Sequence, residues 1–309
     1  MSVRSFMGID FSPIDMDDRE KLTAFLAKYP QPLTGYTFAT LAAWEPFFHY
    51  EWAFVEPETL LISYVLESDP HRHIMQPIGL FSAGAANSLA GRAGDLPYPL
   101  KVICVCEDFL NNHVEFCRSF GAAEDRNISN YIYKASALAK LPGRKYARKR
   151  NLLAQAESQY SWSCQTLTSE LISSCFSILD SIVEEEDPVL EGMLKWETSA
   201  LECTLRHFDA FSQQGLLVSV GGRPVAFSIY EPINPKTVAV HFERALRSYK
   251  GLHQVINWET AKAIAAQGYD FINREEDIGD PGLRDAKLSY HPLKLNKSYE
   301  LTYSGRTDS

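Results

Sequence analysis

The chain lacks any apolar run near the roughly 18–20 residues that a membrane span needs, so no integral membrane segment is expected. Its first residues, MSVRSFMGIDFSPIDMDD, hold no apolar core and turn acidic at once, so no secretory leader is expected either. There is no GxSxG elbow, no Walker A loop and no GxGxxG after a strand, which leaves serine hydrolase, nucleoside triphosphatase and dinucleotide chemistry without support. Cysteine is sparse: six residues, none at scaffold spacing. They read as small buried hydrophobes in a reducing, cytoplasmic setting. The pairs His71/His73 and Cys104/Cys106 match no established zinc spacing, and no metal is expected. Positive charge is also short. With 30 Lys and Arg against 39 Asp and Glu the formal charge is −9, which excludes a protein that coats nucleic acid.

What is present suits a globular α/β chain of 309 residues, room for two domains of about 150 each. In the first half, 15–29 reads as a helix with an acidic first turn, followed by an aromatic stripe from Tyr36 to Trp52 that reads as core or as a pocket wall. Gly84–Pro99, rich in Gly, Ala and Pro, reads as a loop before a strand at 100–106, a helix at 107–119 and a strand at 131–134. The second half reads as helices at 167–184 and 194–212, then a hairpin, 216–220 with 225–230, turned by Gly221-Gly222. A strand at 237–243, a helix at 252–266, a strand at 269–272, a short helix at 283–290 and a strand near 293–303 complete it. The first half approximates the same order between 17 and 134, without residue identity between the halves.

Three stretches carry candidate chemistry. Arg144, Lys145, Arg148, Lys149 and Arg150 crowd a helix after Pro142-Gly143, where positions three and four apart converge on one anion, phosphate first. The alternative is a solvated linker. Strand 237–243 places His241 and Glu243 on one face, with Lys250 and Gly251 opening the next helix as a generic anion site. Finally, FINREEDIGDPGLRDAKLSYHP (271–292) puts a dense charge cluster at a strand end, where open α/β sheets bind ligands. As catalytic groups we single out His241, Glu243, Glu275, Glu276, Asp277, Tyr290 and His291: carboxylates or His241 as base, Tyr290 or His291 as proton donor. Asn273, Arg274, Arg284 and Lys287 are candidates to hold substrate and neutralise charge. The alternative is a solvated turn with internal ion pairs.

The stretch NREEDIGDPGLRDAKLSYHP, with TGYTFATLAAWEPFFHYEWAFVE nearer the start and the basic helix between, resembles the phosphatidylglycerol lysyltransferase C-terminal domain family. That family is similar to the Fem-type, tRNA-dependent aminoacyltransferases. The resemblance implies an α/β fold of two GNAT-like (acyl-CoA N-acyltransferase-like) units in tandem, mixed sheets flanked by helices. It sets units at 1–140 and 161–309 about a basic linker helix, 141–160. It also implies acyl transfer, with aminoacyl-tRNA as donor, a small-molecule or peptide acceptor, and the basic helix as a tRNA contact. A coenzyme A thioester is the alternative donor, although one glycine stands where the GNAT pattern has two. A non-catalytic module for a charged ligand is the alternative of another class.

Overall fold

A computed structural model describes residues 4–55, 58–185 and 193–305. Two compact units emerge: Met1–Asn130 with Asn296–Ser309, and Tyr131–Leu295. The acidic run from Glu184 to Asp187 lies outside the residues whose side chains are described.

The chain begins with β1 (Arg4–Phe6), β2 (Ile9–Pro13), α1 (Arg19–Lys28) and α2 (Phe38–Phe48). Four strands follow, β3 (Glu51–Val55), β4 (Glu58–Leu66), β5 (Asp69–Met75) and β6 (Ile78–Leu80), then α3 (Ala83–Gly94). Next come β7 (Lys101–Val105), α4 (Glu107–Asn112), α5 (Val114–Cys117) and β8 (Phe120–Lys134), whose last residues start the second unit. That unit continues with α6 (Ala135–Lys140), α7 (Ala147–Gln159), β9 (Trp162–Thr166), α8 (Ile172–Glu185) and α9 (Met193–Arg206). Then follow β10 (Gln214–Val220), β11 (Arg223–Asn234), β12 (Thr237–Ala245), α10 (Leu252–Ala266), β13 (Phe271–Asn273) and α11 (Pro281–Leu288). β14 (Lys294–Tyr303) closes the chain.

Each unit holds a mixed sheet with one parallel pair. In the first the order is β1-β2-β3-β4-β5-β7-β14, and only β5 and β7 run parallel, joined through α3. In the second it is β8-β13-β12-β11-β10-β9, and only β12 and β13 run parallel, joined through α10. A parallel pair needs a crossover, and a helix is the usual one. The repeated strand–helix–strand crossover is the structural form of the repeated element order. Leu22, Leu41, Leu60 and Ile74 are among the fully buried side chains of the first unit, Tyr131, Tyr133, Phe227 and Tyr230 of the second. Tyr36, Phe38, Tyr50 and Trp52 of the aromatic stripe are core.

One expectation is corrected here. Gly84–Pro99 is not a loop: α3 fills most of it, with the Ser82 hydroxyl accepting the Ala85 N–H at 3.1 Å. Alanine is the best helix former and outweighs the glycines here once the helix is capped, and Ala86, Leu89, Ala90 and Ala93 bury one face. The basic helix α7 lies within the second unit and packs along α10; Gly251, at φ +86°, marks the approach, since a Cβ there would stand 2.9 Å from the Leu152 carbonyl oxygen.

Candidate active site

In the second unit β12 and β13 pair only at Thr237–Ala239 with Phe271–Asn273. Beyond that β12 runs on to Ala245 while the chain leaves β13 as a turn, so His241 and Glu243 face residues 274–277 where the ladder ends. A register break sharpens this. Ile229 pairs Phe242 and Tyr230 pairs Val240, which leaves His241 as the extra residue of a β-bulge. A bulge re-aims its side chain.

His241 is held from both sides. Nδ1 lies 2.6 Å from Glu275 Oε1 and Nε2 lies 2.9 Å from Glu231 Oε1. Burial pulls its pKa down, but the Glu275 and Glu231 carboxylates outweigh that and push it up to about 10. At neutral pH it is an imidazolium with both N–H groups donating. The neutral base expected at this position is therefore not what its surroundings make of it. Glu231, on β11, went unnoticed in the sequence, because only the bulged register brings it there.

Glu275 itself sits at φ +58°, its N–H donating to Asn273 Oδ1 at 2.8 Å and its carbonyl accepting from Tyr131 N–H at 3.0 Å. Non-glycine residues in this region are strained and persist where neighbours fix them. Ile278 and His291 share the feature. Arg274 donates to Glu243, and Glu243 also accepts from Asn257 Nδ2 at 3.2 Å. The Arg274 guanidinium lies 5.3 Å from the Tyr290 ring centre, and the Lys149 ammonium 3.8 Å from it, so two cations attend one buried phenol. Burial pushes the Tyr290 pKa up to about 12, with Arg274 opposing.

Lys149 is nine-tenths buried and, among the described residues, has no hydrogen bond or ion pair. Burial, with repulsion from Arg274 and Arg148, pulls its pKa down to about 8. Lys287, also buried, spends its ammonium on backbone: it donates to the Arg274 carbonyl at 2.7 Å and to the Glu276 carbonyl. Burial lowers its pKa as well. It shapes the turn.

Asp277 is wholly buried and fully engaged. Its carboxylate accepts from Arg284 Nε at 2.8 Å and Nη2 at 2.7 Å, from the Tyr131 hydroxyl at 2.5 Å and from Gly279 N–H at 3.0 Å. Asp277 and Arg284 thus anchor the turn to β8. His291 points elsewhere, its Nε2 3.1 Å from the Lys145 carbonyl oxygen. Arg150 donates to the Leu141 and Gly143 carbonyls at 2.5 and 2.7 Å, closing the loop before α7. Arg144, Lys145, Arg148 and Lys250 are exposed. Tyr131, Tyr133 and Tyr146 brace the turn and Asn257 holds Glu243, roles that isolated residues do not signal in the sequence. Among the described residues no group of His, Cys, Asp and Glu is arranged to hold a metal, and no helix is long and apolar enough to cross a membrane.

Two mixed-sheet units of this order make a tandem GNAT-like fold, shared with solved tandem GNAT and Fem-type proteins. Residues 26–301 match the family described as "Phosphatidylglycerol lysyltransferase, C-terminal", and the chain belongs to that family. A conserved protein of unknown function from Bacteroides thetaiotaomicron superposes with a TM-score of 0.87 at 29% identity, over 96% of this chain and all of that one. L-PGS from Bacillus licheniformis gives 0.64 at 13%, over 94% and 93% of the two chains. FemX gives 0.60 at 11%, over 96% and 97%. No curated relative matches the sequence. Family and fold together indicate an acyltransferase.

Proposed function

We propose that this chain moves an aminoacyl group from aminoacyl-tRNA to an amine or hydroxyl acceptor, a small molecule or peptide. The observation that carries the reading is the division of charge within one network. Carboxylates Glu231 and Glu275 bracket His241 on one side, and an unpaired buried Lys149 stands with Arg274 over Tyr290 on the other. An aminoacyl ester on a nucleic acid has the matching parts: an ammonium for the carboxylates, and an ester and phosphates for the cations.

In the reaction, the acceptor nitrogen or oxygen attacks the ester carbonyl, the bond to the donor's ribose oxygen breaks, and that oxygen takes a proton. Tyr290 is neutral at pH 7 and supplies it, while Arg274 and Lys149 offset the phenolate and the carbonyl oxyanion. The acceptor's proton goes to a carboxylate, Glu275 or Glu276, since the imidazolium of His241 cannot take one. Exposed Arg144, Lys145 and Arg148 extend the positive side for RNA.

The test is thermal shift at matched ionic strength with aminoacyl-tRNA, uncharged tRNA and acetyl-coenzyme A, then single-turnover release of the labelled amino acid. A ligand that binds only the folded chain stabilises it by about 2.7 kcal/mol at a hundredfold excess over Kd. We expect the largest shift from aminoacyl-tRNA, and release that falls roughly 10²-fold or more in Tyr290→Phe, as for loss of a general acid. A shift from acetyl-coenzyme A alone would replace this reading with coenzyme A-dependent N-acyl transfer. No shift from any of them would replace it with non-catalytic binding of another charged ligand.

A further inference from the structure

The first unit holds a cavity of about 380 Å³ between the start of β2, the β3–β4 pair and α3, at the low end of the range for small-molecule sites. Leu61, Leu89 and Phe81, all nearly or fully buried, make its floor, and Ile9 closes one side. Its polar lining is Ser82, Ser88 and Arg92 on or capping α3, and Arg92 carries the charge. Its Nε donates to the Ser88 hydroxyl at 3.2 Å and its Nη1 to the Met7 carbonyl. Among the described residues Arg92 has no carboxylate partner.

Gly8 packs against this guanidinium. A Cβ at Gly8, itself at φ +63°, would stand 2.7 Å from Arg92 Nη1. Its described partners are two neutral acceptors, and the remaining donors of its fork match a carboxylate. We propose that this cavity binds a small organic anion with an apolar body, a medium-chain carboxylate in kind, its head on Arg92 and its tail along Leu61, Phe81 and Leu89.

Titration calorimetry of the full chain with sodium octanoate tests this, with octan-1-ol as the uncharged comparator. Octanoate is expected to bind one to one and more tightly than octan-1-ol. Arg92→Met should weaken octanoate about tenfold or more, the worth of one charge-assisted hydrogen bond, and leave octan-1-ol nearly unchanged. Ala85→Phe, which adds a ring to the α3 wall of the chamber, should abolish both, and it decides the matter if Arg92→Met does not fold. No heat at millimolar octanoate, equal binding of octanoate and octan-1-ol, or octanoate binding that survives Ala85→Phe would each overturn the proposal.

Discussion

His241 shows how far a side chain's role departs from its residue type once its neighbours are fixed. A histidine on a strand suggests a base near neutrality; between two carboxylates it is a permanent cation below about pH 10. The consequence for stability has a definite sign. The folded chain keeps the His241 proton where the unfolded chain has lost it, so this contribution is complete below about pH 6.5 and fades as pH rises toward about 10. Lys149 acts oppositely, because its folded pKa of about 8 is below the ordinary 10.5: the folded chain sheds that proton first, and stability is regained between those values. Urea unfolding across pH should therefore show stability falling from about 6.5 to 8 and levelling between about 8 and 9, above which the thiols of Cys117, Cys164 and Cys175, pushed up to about 11 to 12, lower it again. In Lys149→Met the fall should continue to about 10. A profile level between 6.5 and 8 in the native sequence would mean that His241 is not held as a cation.

At the scale of elements, the sequence announces strands and helices more clearly than it announces how they are offset. The alternation of TVAVHFE places His241 and Glu243 together, and the charge cluster after β13 marks the strand end, so half the side-chain cluster is legible from pattern. The bulge at His241 is not, since it is a property of the β11–β12 register, and with it goes Glu231. Nor does a charge string reveal that Asp277 and Lys287 are buried supports while Glu275 pairs with His241 and Arg274 with Glu243. At α3 composition points the wrong way, because alanine beside glycine and proline resembles a loop yet favours a helix. Gly251 is a further case: its sequence context suggests a phosphate approach, yet the close neighbour is Leu152 of α7. Gly251→Ala should cost at least the roughly 1–2 kcal/mol of a left-handed alanine, and more because α7 must shift. The check is the urea midpoint at constant m. A neutral substitution would show that α7 is not seated against α10 as described.

At the scale of the whole molecule, a chain of net charge −9 repels a polyanion at long range, so any RNA contact must be local. Arg144, Lys145 and Arg148 form such a patch, exposed and close in sequence to the buried Lys149. Each phosphate that a cation neutralises releases counterions and steepens the fall of affinity with salt, by about 0.7 in log–log slope on a single strand and about 0.9 on a duplex. Replacing Arg144, Lys145 and Arg148 with Glu should therefore weaken tRNA binding and reduce the salt slope by about two to three, while the fold survives. Filter binding of uncharged tRNA at a series of salt concentrations measures this directly. A slope that does not change in the triple variant would place the RNA contact elsewhere and leave α7 as a packing helix whose charges are merely solvated.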